Sequence, residues 1–274
     1  MMLGPAILFC PADRPDRFAK AADAADAVIL DLEDAVAPDA KDAARAAVAA
    51  ATLDPARTVV RVNPAGTADH DADLAALAGT GFRAVMLAKT EDPSQCDALH
   101  AQGYRVVALC ETAAGVEAAG AIARHPAVDA LMWGAEDLVA SLSGTASRFP
   151  DGRYRDVARY ARARVLIAAG AAGVAAWDAV HLDIDDLDGL RAEAEDAAAS
   201  GFAASVSIHP RQVAVIREAY APTAAQLAQA RALLEAAAAT PGVFRFDGRM
   251  VDEPVLRQAR RVLAFGTTEK EARA

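Results

Sequence analysis

Residues Val128 to Leu138 read VDALMWGAEDL. A short apolar run gives way to a small-residue turn and then to two carboxylates, Glu136 and Asp137, the pattern of a buried parallel strand that delivers acids at its C-terminal end. The run before it, Arg105 to Thr112 (RVVALCET), closes in the same way on Glu111. Neighbouring parallel strands lie about 4.8 Å apart, so two such tips can hold Glu111 and Asp137 on either side of one hard cation.

Working outward, similar runs recur at Ala6 to Pro11, Ala27 to Asp34, Thr58 to Pro64, Ala84 to Glu91, Gly173 to Val180 and Ser205 to Pro210, which brings the set to eight. Between them lie stretches of helical composition and periodicity, such as Arg14 to Ala25, Lys41 to Ala51, Ala68 to Ala78 and Gly115 to Arg124. Strand alternating with helix implies a parallel sheet, and eight units point to an α/β (β/α)8 TIM barrel spanning residues 1–220. A doubly wound open sheet is the runner-up, but no G-x-G-x-x-G follows the first strand. Residues 221–274 exceed what a barrel needs and read as a C-terminal helical extension: a helix over Pro222 to Ala239, a turn-rich link over Pro241 to Met250, and a last helix over Glu253 to Phe265.

Polar side chains gather where the runs end. Asp13, Arg14 and Arg17 follow the first, Asp31, Glu33 and Asp34 the second, Arg61 and Asn63 the third, Lys89 and Glu91 the fourth, and His209 the last. In a barrel those ends form one face, where active sites lie. Capping of the following helices also favours Asp, Glu and Asn, which explains single residues better than the whole series. The segment Val139 to Gly152 is long, small and polar, as expected of a mobile loop or lid beside the site.

At 274 residues the chain can bury a large core. Its hydrophobic fraction of 54% is rich in Ala, and no run of about 18 apolar residues is free of charge, so a membrane span is not expected. The N-terminus lacks a basic region ahead of its short apolar run, which suits a first strand in a cytoplasmic protein. A formal charge of −10 argues against nucleic acid or an acidic membrane as partner; an anionic ligand needs a local cluster of Arg and Lys, and Lys89 is a candidate substrate-binding cation there. Cys10, Cys96 and Cys110 have no metal-type spacing and read as packed thiols. Trp133 and Trp177 read as core, and His209 as a local hydrogen-bonding group.

A carboxylate pair without nearby His or Cys favours Mg²⁺, with Mn²⁺ as the alternative. Such an ion acts as a Lewis acid on a hydroxyl or keto oxygen beside a carboxylate. Arg61 is a natural fork for that carboxylate, the competing reading being a salt bridge to Asp31 or Glu33.

These residues resemble the citrate lyase beta-subunit-like branch of the HpcH/HpaI aldolases, which includes 3-hydroxyacyl-CoA lyases. The resemblance runs through LFCPADRPDRFAKA (Leu8 to Ala21), VILDLEDAV, VRVNP, VMLAKTE, LCETAAGV, LMWGAEDL, SIHPRQV and VDEPVLRQARRVLA (Val251 to Ala264). Each is a weak pattern, and all of them in order are specific. The resemblance implies a homotrimer or dimer of trimers, with Mg²⁺ at Glu111 and Asp137 and the substrate carboxylate on Arg61. Glu33 and Asp34 would organise water at the metal. Arg14, Arg17 and Lys20 would lie near the CoA phosphates. Asp252 would act in proton transfer from a tail that reaches a neighbouring subunit's site. The implied activity is Mg-dependent cleavage of a 3-hydroxyacyl-CoA to acetyl-CoA or propionyl-CoA plus a keto acid. A citrate lyase beta subunit working in a complex, an aldolase on free acids and a non-catalytic subunit are the alternatives. The chain departs from the family pattern at Gly201 to Ser205 (GFAAS), where relatives often carry G-F-x-G-K; the missing Lys would remove a cation near the site. Ala88 stands where relatives often have Pro.

Overall fold

The computed structural model describes residues 3–240 and 242–272. The chain divides into two units, Met1–Arg217 and Glu218–Ala274.

The first unit is a closed barrel of eight parallel strands in sequence order: β1 (Ala6–Pro11), β2 (Ala27–Asp31), β3 (Thr58–Val62), β4 (Ala84–Leu87), β5 (Arg105–Cys110), β6 (Val128–Trp133), β7 (Ala175–Asp178) and β8 (Ala204–Ser207). The barrel closes where Ala6 of β1 faces Ser205 of β8. Helices α1 (Phe18–Ala24), α2 (Lys41–Ala49), α3 (Ala68–Leu77), α4 (Asp97–Ala101), α5 (Ala113–Ile122), α6 (Ala135–Ser141), α7 (Asp156–Ala172), α8 (Leu187–Ser200) and α9 (Pro210–Tyr220) fill the connections, and the division between units falls inside α9.

Successive strand side chains point to opposite faces. One parity forms a core cluster drawn from all eight strands, including Ile7, Ile29, Val59, Met86, Leu109, Met132, Trp177 and Val206; it fills the barrel. The other parity, including Leu8, Leu30, Val60, Leu87 and Ala108, is buried as well and faces the helices, which is why these strands read as continuous apolar runs. Stepping two residues on from the inward Ile29, Val59 and Leu109 gives Asp31, Arg61 and Glu111, so the top layer of the interior is charged.

Several strands end earlier than the sequence indicated. β5 stops at Cys110, one residue before Glu111, and β6 stops at Trp133. Glu136 and Asp137 lie in the first turn of α6, where the positive end of the helix favours acids. The segment from Val139 is also different: its first residues complete α6, and the remainder is fastened. Ser147 Oγ donates to Glu136 Oε1 (2.5 Å), Arg148 pairs with Glu193, and Arg148 stacks on Tyr154. Ser205 is buried in β8 between Ala204 and Val206, both of the inward parity. Its side chain therefore points to the helix layer, and the departure from G-F-x-G-K takes no cation from the barrel mouth.

The three cysteines are free and buried, and burial raises their thiol pKa, that of Cys110 to about 12. They are packing groups. Trp133 and Trp177 are fully buried.

The second unit holds α10 (Ala224–Ala239), a two-stranded hairpin of β9 (Phe244–Phe246) and β10 (Arg249–Val251), and α11 (Glu253–Ala272). Its core is formed by Ala230, Leu233, Val251, Leu256 and Ala259. Thr223 and Gln226 make a capping box at the start of α10. The hairpin was not expected, although Asp247-Gly248 at its turn, both at positive φ, is a strong hairpin signal. Among the described residues no helix is long and apolar enough to cross a membrane.

Candidate active site

β5 and β6 are hydrogen-bonded neighbours with Cys110 opposite Trp133, so the residues just beyond their ends share one edge of the barrel mouth. Glu111 is 3% exposed, and its carboxylate lies against Gly134: a Cβ built on Gly134 would sit 2.9 Å from Glu111 Oε2 and 3.0 Å from its Cβ. Only glycine leaves that space. Burial, and then the negative charge of Asp137, push the Glu111 carboxyl up to about 8.

A divalent cation would offset that cost, and the donor set suits one. The pair is all oxygen, and no group of three or more His, Cys, Asp or Glu able to hold a metal occurs among the described residues. Two hard protein ligands that leave the remaining positions to water and substrate fit Mg²⁺ and not zinc.

Arg61 stands beside the pair. Its Nε and Nη2 are bound by Asp31 (2.7 and 2.6 Å), and Nη1 lies 3.2 Å from Glu33 Oε2. The salt bridge weighed in the sequence is thus present. It fixes the guanidinium plane, which lies 4.8 Å from the Phe9 ring centroid, and Arg61 still lines a cavity of about 160 Å³. Asp137, Glu136 and Gly134 form the polar side of that cavity, while Phe9, Met132 and Val180 contribute an apolar wall. The space suits a short acyl group.

Glu33 is buried and Asp34 exposed. Burial raises the Glu33 pKa despite Arg61 and Lys89; for Asp34, burial is outweighed by the Lys89 ammonium and the pKa falls. Lys89 is embedded in the acids: its ammonium contacts Glu33, Asp34 (3.0 Å) and Asp137 (3.4 Å), and its backbone N–H donates to Glu111 Oε1 (3.1 Å). Burial works against the charged amine, but these acids prevail and its pKa rises.

Arg14, Arg17 and Lys20 are not among the residues that line the cavity. Arg14 pairs with Asp16 (3.0 Å) on the β1–α1 connection, which also carries the exposed Arg17, and the exposed Lys20 lies in α1. Asp252 is in the second unit, between β10 and α11. His209 Nδ1 accepts from the Arg211 N–H (3.2 Å), a local bond as expected.

A supporting network escaped sequence reading. Lys41, 9% exposed, donates to the carbonyls of Leu32 (2.8 Å) and Glu33 (3.0 Å) and to Asn63 Oδ1 (2.9 Å). Asn63 donates to Asp73, and Arg45 Nε closes on the same carboxylate. The network locks the turn that presents Glu33. Lys41 and Arg45, one helical turn apart at the start of α2, were the available signal. Replacing Lys41 with Met removes three buried hydrogen bonds; the Leu32 and Glu33 carbonyls keep Asn63 Nδ2 and the Val36 N–H as donors, whereas Asn63 Oδ1 loses its ammonium partner, and the expected cost is about 1–3 kcal/mol of stability, read by denaturant unfolding.

Known proteins are consistent with this geometry. The family model "HpcH/HpaI aldolase/citrate lyase" matches residues 6–210. A citrate lyase subunit beta-like protein of Mycobacterium tuberculosis is 55% identical over 260 residues, covering 95% of this chain and 94% of that protein. The mitochondrial citramalyl-CoA lyase of Rattus norvegicus is 31% identical, with 90% and 80% covered. Among solved structures, M. tuberculosis CitE in complex with magnesium, acetoacetate and coenzyme A matches with a TM-score of 0.93 and 54% identity, over 97% of this chain and 98% of that one. With a family model spanning the barrel and relatives spanning nearly the whole length, the chain belongs to the HpcH/HpaI aldolase/citrate lyase family.

Proposed function

We propose that the chain is a magnesium-dependent carbon–carbon lyase that cleaves a short 3-hydroxyacyl-CoA bearing a distal carboxylate into acetyl-CoA or propionyl-CoA and a keto acid. The observation that carries this reading is a small, mostly apolar cavity lined by Arg61 and Asp137, with the Glu111 carboxylate packed behind its Gly134 wall and within reach of the charges of both. A solved relative that holds magnesium, acetoacetate and coenzyme A together supports it, as does a relative named for citramalyl-CoA.

Glu111 and Asp137 would hold Mg²⁺, which when bound supplies Lewis-acid polarisation of the substrate's oxygens. Arg61, its plane fixed by Asp31, receives the distal carboxylate on its Nη1 edge, displacing the Glu33 contact held there. Glu33 and Asp34 take up the proton of the 3-hydroxyl through water. As that proton leaves, the C3 oxygen forms the keto group, the C2–C3 bond breaks, and its electron pair passes to C2 as the thioester enolate. Asp252 of a neighbouring chain in a homotrimer returns a proton to C2. Arg14 and Arg17, on the connection after β1, and Lys20, in the first turn of α1, receive the CoA phosphates.

A panel of malyl-, citramalyl- and 3-hydroxy-3-methylglutaryl-CoA, each beside its free acid, tests the reading by mass spectrometry. One thioester is expected to be cleaved far faster than its acid. Equal rates on the free acid would replace the reading with that of an aldolase.

A further inference from the structure

Lys89 contacts both carboxylates assigned above to the metal, and it does so with different groups. Its backbone N–H reaches Glu111 Oε1, and its ammonium reaches Asp137 Oδ1 at 3.4 Å. The backbone there is left-handed, with φ 49° on a residue that is not glycine. That conformation is costly for a side chain with a Cβ, and such costs concentrate at functional sites.

The charges explain what the ammonium does. Asp31, Glu33, Asp34, Glu111 and Asp137 bring acid to the mouth, and Arg61 spends its fork on Asp31 and its remaining edge on Glu33. The compensation of Asp34 and Asp137 falls to Lys89. An ammonium within salt-bridge distance of an oxygen repels a dication sharing that oxygen. Its four-carbon stem also lets it retreat toward Glu33 and Asp34, with which it is already paired.

We propose that Lys89 is a tethered counter-cation that competes with the divalent metal for Asp137, and so holds the metal affinity of this site below what its carboxylates alone would give. The proposal rests on the assignment of Glu111 and Asp137 as the metal pair. It departs from a role for Lys89 as a substrate-binding cation, because the group it answers to is the metal's own ligand. A residue that merely oriented Asp137 would strengthen metal binding, so the two roles predict opposite signs.

The test is calorimetric titration of Mg²⁺ into the full chain without substrate, repeated with Mn²⁺ by electron paramagnetic resonance. Lys89→Met is expected to bind about tenfold more tightly than the unaltered chain, and Lys89→Arg, which keeps the charge, to stay near it. Unchanged or weaker binding by Lys89→Met would overturn the proposal. If Lys89→Met does not fold, the double variant Lys89→Met with Asp34→Asn, which removes one charge of each sign, is still expected to bind more tightly, and failure to do so is equally contrary. Glu111→Ala separates the two levels of inference. If the unaltered chain binds Mg²⁺ and Glu111→Ala does not, the metal pair stands whatever Lys89 does; if the unaltered chain binds none, both fall.

Discussion

Glu111→Ala is expected to lose about three orders of magnitude in kcat on the cleaved thioester, and to lose its dependence on added Mg²⁺. The size follows from two steps. A Lewis-acid cation contributes several kcal/mol to stabilising charge in the transition state, and each ~1.4 kcal/mol is a factor of ten in rate. Asp137→Ala should behave alike, since the proposed site sets the two carboxylates on one ion. Glu111 is buried against Gly134, and its carboxyl sits at about 8 because burial disfavours the charge. Removing it takes away a buried group whose charge is disfavoured and, against that, the acceptor of the Lys89 N–H; the two effects oppose, and the barrel should stay folded. Unchanged thermal unfolding beside a collapsed kcat separates this outcome from misfolding. Full activity with intact Mg²⁺ dependence would dismiss the metal pair.

The second large effect concerns the second unit. Asp252→Asn is expected to lower kcat by about 10²- to 10⁴-fold, the range of a lost general acid, while Mg²⁺ binding stays as it was. Mixing subunits shows whose acid it is. Asp252→Asn chains have an intact metal pair, and Glu111→Ala chains have an intact Asp252. If the acid is delivered between chains, co-refolded mixtures of these two inactive variants regain a fraction of the original activity. Mixtures as inactive as their parts would mean that Asp252 does not act across chains.

The barrel was legible in the sequence because its strands are buried on both faces and read as unbroken apolar runs, each closing on a polar tip. Leu109-Cys110-Glu111 and Val59-Val60-Arg61 show why the tips converge: the period of two that sends Leu109 and Val59 into the core sends Glu111 and Arg61 to the same side one layer higher. What the sequence concealed depends on contacts between distant segments. Lys41 sits on a helix, yet its bonds run to carbonyls on the loop after β2 and to Asn63 after β3. Asp137 resembled a strand tip and proved to be the first turn of a short helix, because Gly134 ends the strand and lets α6 begin at once. The segment after Val139 resembled a free loop because its composition is polar, whereas Ser147 and Arg148 use that polarity to fasten it to Glu136 and Glu193. Hairpin β9–β10 escaped notice because three-residue strands carry too little pattern.

The decisive measurement is the identity of the products when the purified protein meets its thioester with Mg²⁺. Carbon–carbon cleavage yields a short acyl-CoA and a keto acid in equal amounts, and EDTA abolishes both; this is the expected result. Release of free CoA together with the intact hydroxy acid would mean that the thioester bond is broken instead, and would contradict the assignment of the barrel mouth as a carbon–carbon lyase site.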